Sequence, residues 1–225
     1  MNFLQLVQRL ARDTGVAGTG PSTVVSQSGD SGRLVNWISS AWTDIQTIHP
    51  DWQWMRASAS FVTIDGQATY TPAQCGITDF GAWDRNSFRN YSTSAGTSSE
   101  IFMTYQEYEI WRDEYQMGSM RSVRTRPYQV TITPAKAIGL GPTPTSGYTV
   151  IGDYYTVPTE MSLDADIPSL PTQYHMAIVY RAMMFYGAYH AANEVYQHGQ
   201  TEFKRIMARI TTDRLPDIQF AGALF

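Results

Sequence analysis

The chain reads as an α+β protein, in which a helical bundle built from the N- and C-terminal segments carries an antiparallel β-rich insertion and is followed by an extended C-terminal arm. Three observations lead there. Apolar residues recur every three or four positions towards both ends, the period of one helix face. Between those stretches the period drops to two, as in strands with one buried side. Beyond Pro216 the chain is short and apolar, with no partner element of its own. The expected organisation is a single domain over residues 1–212, with helical core segments 1–56 and 168–212 around an insertion 57–160, and an arm over 213–225.

Phe3, Leu6, Val7 and Leu10 share a helix face after Asn2, a residue type that caps helix starts, so a short helix is predicted over 2–13. Residues 15–29 are rich in Gly, Ser and Thr and read as a loop. Leu34, Trp37, Ile38, Ala41, Trp42, Ile45 and Ile48 form the stripe of a second helix, with Asp30 or Ser31 as its cap and Pro50 as its stop. Trp52 and Trp54 follow at once and add large apolar area near Trp37 and Trp42.

In the insertion, Phe61 to Ile64 and Ala68 to Tyr70 flank Asp65-Gly66, which reads as a hairpin turn. Residues 128–132 and 148–155 are rich in Tyr, Val, Ile and Thr and are expected to pair as an antiparallel sheet. Asn90 to Ser99 reads as loop, and Gly139-Leu140-Gly141-Pro142 as a turn. A helix is predicted through Tyr105, Tyr108, Trp111 and Tyr115, capped by Thr104 with Glu107 three residues on. A last long helix runs from near Pro171 towards Asp213, with Gly199 as the place where it would break.

Composition narrows function. With 225 residues, 43% of them hydrophobic, the chain can bury a full core. A net charge of −4 argues against non-specific grip on nucleic acid or an anionic membrane, which needs an excess of Lys and Arg. The single cysteine, Cys75, excludes an intrachain disulfide and every multi-cysteine zinc motif, and fits a reducing compartment. No apolar region with a small-residue cleavage site follows Met1, and no stretch reaches the ~20 apolar residues that span a bilayer. The expectation is a soluble chain without signal peptide or membrane contact.

Candidate chemistry is sparse. Gly29-Asp30-Ser31-Gly32 begins like a serine-protease nucleophile motif, yet no histidine precedes Ser31 and Arg33 stands where a glycine belongs. His190, Glu194 and His198 fall at i, i+4 and i+8, a spacing that permits metal ligands on one helix, but no second cluster completes a coordination sphere and the stretch reads as a polar face. Asp164 and Asp166 precede Pro168 and a helix, where negative charge favours the helix start. Arg121, Arg124 and Arg126 make one compact basic patch, which reads as a solvated loop, a contact for an acidic protein surface, or a contact for nucleic-acid phosphate. Asp217, Ile218, Phe220, Leu224 and Phe225 form an apolar tail that would dock in a neighbour's groove, add a strand to its sheet, or fray.

The order of these features resembles the head-to-tail adaptor proteins of tailed bacteriophages, the head-completion or portal-associated connector proteins. A helix pair leads into Ile48-His49-Pro50-Asp51-Trp52-Gln53-Trp54, and a β-rich insertion carries Ile138-Gly139-Leu140-Gly141-Pro142-Thr143-Pro144 before Tyr148. Asp164-Ala165-Asp166-Ile167-Pro168-Ser169-Leu170-Pro171 then precedes Tyr174, His175 and an aromatic helix through Tyr189. The resemblance spans residues 2–212, loosely across the insertion and without a counterpart for 90–99.

It implies a non-catalytic virion protein without cofactor or metal, forming a ring of about twelve copies beneath the portal. The implied partners are the portal protein, a tail or nozzle/head-closure protein, further copies of the chain, and double-stranded DNA passing without sequence-specific binding. The place implied is the neck of the virion, and the host cytoplasm during assembly. The arm residues Asp217, Ile218, Phe220, Leu224 and Phe225 would then face the portal or tail. Other readings are a tail-terminator, tail-tube or head-closure subunit, which tend to be β-dominated, and a metal-dependent enzyme built on His190, Glu194 and His198.

Overall fold

The computed structural model describes residues 1–16 and 18–214. The fold is α+β, and the chain divides into two compact units, one made of residues 1–55 with the chain from Pro158 onward, the other of residues 56–157.

In the first unit α1 (Phe3–Asp13) opens with a reciprocal cap. Asn2 Oδ1 accepts from the Gln5 N–H at 2.9 Å while the Asn2 N–H donates to Gln5 Oε1 at 3.0 Å, satisfying two orphan donors of the first turn. α2 (Gly29–Ile48) starts earlier than its expected caps: Asp30 and Ser31 lie inside its first turn, and Ser28 precedes it without a side-chain cap bond. Its buried stripe contains Leu34, Ile38, Ala41, Trp42 and Ile45, and also the polar Gln46. Trp52 is fully buried, donates from Nε1 to the Ile45 carbonyl at 3.0 Å, and stacks on Trp54 with ring centres 4.2 Å apart.

The second unit contains β1 (Arg56–Val62), β2 (Thr69–Tyr70), β3 (Phe80–Trp83), β4 (Arg89–Ser92), β5 (Ile101–Phe102) and β6 (Thr104–Tyr105). After α3 (Tyr108–Trp111) and a π-helical turn over Arg112–Gln116 come β7 (Gln129–Ile132), β8 (Ile138–Gly141) and β9 (Tyr148–Thr156). One sheet runs β1-β9-β4-β5 with β3 also on β9; the other runs β2-β8-β7-β6. Their core holds Phe61, Tyr70, Trp83, Phe88, Val130, Ile138, Leu140 and Val150.

Several expectations for this unit fail. Asp65-Gly66 does not close a hairpin: β1 pairs with β9 and β2 with β8, so the turn passes the chain between sheets. The segments at 128–132 and 148–155 do not pair with each other, since β7 and β9 belong to different sheets. Gly139 to Gly141 is not a turn but strand β8, fully buried. A Cβ on Gly139 would lie 2.9 Å from the Trp111 ring, and one on Gly141 2.6 Å from the Tyr115 ring, so only glycine lets these aromatics approach the strand so closely. Asn90 sits in β4, not in a loop, and Thr104 and Tyr105 are strand, which delays the helix to Tyr108.

The chain re-enters the first unit at Pro158 and ends its described part with α4 (Met176–Tyr189) and α5 (Asn193–Arg214). The break falls at residues 190–192, where Ala191 takes φ 51°, and not at Gly199. Gly199 lies within α5 because α4 approaches it closely: a Cβ there would sit 2.8 Å from the Tyr180 carbonyl. Asp164 and Asp166 do not serve the start of the helix that follows them, but that of α1. Asp164 Oδ1 accepts from the Val24 N–H at 2.6 Å, Asp166 Oδ2 accepts from Ser162 and Leu163, and their carbonyls accept from Leu4 and Phe3 at the start of α1.

Candidate interaction surfaces

The three arginines of the basic loop have separate positions. Arg121 lies exposed in a 3-10 turn, Ser119–Ser122, without an ion pair among the described residues. Arg124 Nη1 pairs with Asp65 at 2.9 Å, and Thr125 N–H donates to the Thr143 carbonyl at 3.1 Å, which fastens the loop across from 65 to 143. The chain neighbours of that pair, Ile64 and Val123, are exposed. Arg126 turns inward: Nε donates to Asn90 Oδ1 at 2.8 Å and Nη2 to the carbonyls of Asn90 and Ser99. Asn90 is itself fully buried and donates from Nδ2 to the Pro127 carbonyl at 2.7 Å.

His190, Glu194 and His198 do not share one helix, because His190 ends α4 while the other two lie on α5. His190 packs among Trp37, Tyr186 and Tyr189, and His198 meets the edge of Tyr180. Among the described residues no three His, Cys, Asp or Glu side chains are placed to hold a metal ion. The aromatic group borders a cavity of about 310 Å³ lined by Val16, Asp30, Leu34, Trp37, Tyr186 and His190.

Cys75 is buried, and burial pushes its thiol up to about 12, which leaves it protonated and unreactive at neutral pH. Ser31 lies in the first turn of α2. No helix among the described residues is long and apolar enough to cross a membrane. Asp217, Ile218, Phe220, Leu224 and Phe225 lie outside the described residues, and α5 runs through Arg214, two residues into the segment read as arm.

Sequence reasoning overlooked two polar centres. One is Asn90, which looked like loop and is the buried anchor of Arg126. The other is His175, 1% exposed, whose Nε2–H donates to the Leu170 carbonyl at 2.8 Å; its Nδ1 therefore accepts from the Met1 amino group at 2.7 Å. The sequence marks His175 only as part of the stretch that resembles the adaptor proteins, without a role of its own, and nothing local marks Asn90.

No curated protein matches the chain. The family model described as SU10 adaptor protein matches residues 1–220, which takes in both compact units and the first residues of the apolar tail. A match of that extent leaves no unit of the fold outside it: the chain belongs to the SU10 adaptor protein family, structural adaptor proteins of bacteriophages.

Proposed function

We propose that the chain assembles as a ring of about twelve copies beneath the portal, joins it to the tail or nozzle/head-closure protein, and lines the passage for double-stranded DNA. The observation that carries this reading is the adaptor-family match across residues 1–220. Helices frame the described residues at both ends, which favours an adaptor over the more β-dominated tail-terminator, tail-tube and head-closure subunits.

A net charge of −4 suits a conduit that must let DNA slide, since fixed negative charge repels phosphate. In this reading residues 1–212 form the adaptor body of the neck. The segment after α5, with Asp217, Ile218, Phe220, Leu224 and Phe225, reaches a neighbouring chain of the connector. Arg121 is free to meet an acidic partner surface, while Arg124 and Arg126 hold its loop in shape.

The experiment is electron microscopy of virions that contain this chain. A ring of its density between portal and tail is the expected result. Density in the tail tube, or none in the virion, would overturn the proposal.

A further inference from the structure

We infer that β1 is a docking strand, and that the C-terminal segment 217–225 of a neighbouring copy pairs with its outer edge; the inference rests on the ring reading above and names what the arm binds. The geometry of β9 fixes which backbone groups are free. Thr63 N–H donates to the Tyr148 carbonyl at 2.8 Å, and on the opposite side of β9 Asp84 N–H donates to Asp153 and Thr93 N–H to Gly147. Hydrogen-bonded pairs alternate along an antiparallel ladder. Tyr148, Val150, Gly152 and Tyr154 therefore direct their backbone groups to β1, where Val150, Gly152 and Tyr154 face Phe61, Ala59 and Ala57. The N–H and C=O groups of Ser58, Ser60 and Val62 point the other way, and among the described residues no backbone hydrogen bond from another segment reaches them.

Free edges of this kind invite a further strand, and proteins usually guard them with short length, Lys, Pro or a bulge. The edge strands β2, β5 and β6 are two residues long each. β1 has seven residues in unbroken register, contains neither Lys nor Pro, and leaves Ser58, Ser60 and Val62 exposed.

The segment beyond α5 supplies a matching strand. Pro216 disfavours helix, and after Asp217 the sequence carries no charge. Ile218, Phe220 and Leu224 fall on one face of an extended chain, with Gly222 between them, and nine residues are enough to cover the seven of β1. Laid along β1, that apolar face extends the side of Ala59 and Phe61, and Gln219 or Ala221 comes beside Ser60. Copy-to-copy pairing is heterologous, each chain giving one strand and receiving one, so a closed ring leaves no β1 edge open.

The test uses full-length chains in rings assembled on capsids that carry the portal. Chains with Ser60→Cys are mixed with chains bearing Gln219→Cys, Ala221→Cys or Phe220→Cys, and disulfides between the two populations are measured after mild oxidation; the native Cys75 is buried. Cross-links at Gln219→Cys or Ala221→Cys and not at Phe220→Cys are expected. With Ser58→Cys as the reporter, adding Ser60→Pro removes one outward N–H without touching the β9 pairs and should cut the yield about tenfold. Rings without such cross-links, or equal yields at all three positions, would overturn the docking and leave the adaptor reading standing. Failure to form rings at all would overturn the ring reading instead.

Discussion

Gln46 and Thr159 bind each other reciprocally: Gln46 Nε2 donates to the Thr159 carbonyl at 2.9 Å, and the Thr159 N–H donates back to Gln46 Oε1 at 2.9 Å. Gln46 is 2% exposed on the buried face of α2, so a side chain stands in for a β-ladder partner just after the chain re-enters the helical unit at Pro158. Gln46→Ala strands both backbone groups of Thr159 and should cost about 3 kcal/mol. The shift in urea midpoint against wild type measures it, and a shift near zero would mean that water replaces the amide.

Burial holds the His175 imidazole below its ordinary value of 6.5, the neighbouring Met1 ammonium adds to the effect, and the bond to the Leu170 carbonyl opposes it. A depressed folded value means that the unfolded chain binds the proton first. Stability is therefore full above pH 6.5 and falls as the pH drops below it, levelling once the folded form is also protonated. Unfolding midpoints at pH 8 and pH 5 should differ for wild type, and by less for His175→Gln.

Gly141→Ala places a methyl group 2.6 Å from the Tyr115 ring in a core that cannot yield easily. The expected cost is about 1–3 kcal/mol, read from thermal or urea unfolding.

The basic loop should split in two under mutation. Arg126→Ala leaves the buried Asn90 side chain and two carbonyls without their donor and should destabilise by about 2 kcal/mol in urea unfolding. Arg121→Ala removes an exposed cation and should stay within about 0.5 kcal/mol of wild type, while weakening capture by portal-bearing capsids.

Deleting residues 217–225 should leave the unfolding midpoint unchanged and weaken association within the connector at least about tenfold in co-sedimentation with portal-bearing capsids. A truncated chain that fails to fold would show that the segment belongs to the body.

Local patterns carried the fold class and the first two helices, because α1 and α2 each bury one stripe and declare it every three or four residues. Strand pairing was not legible in that way. Phe61 and Val150 face each other across 89 positions, and nothing beside either residue names the other. β8 was hidden because Gly139 and Gly141 look like turn chemistry, whereas Trp111 and Tyr115 require them. The basic loop was visible as three arginines, but only tertiary contacts separate the exposed Arg121 from Arg126, which is spent on Asn90.

The two units differ in how their residues are ordered during synthesis. Residues 56–157 are contiguous, so every strand of both sheets has been synthesised before the aromatic helix α4. The helical unit is interrupted, and the contact between Met1 and His175 spans 174 positions, so α1 waits for a partner that arrives late. A chain ending shortly after β9 would therefore contain the whole β unit and two amphipathic helices that lack their partner α4. Such a chain is the natural client of a ribosome-associated chaperone.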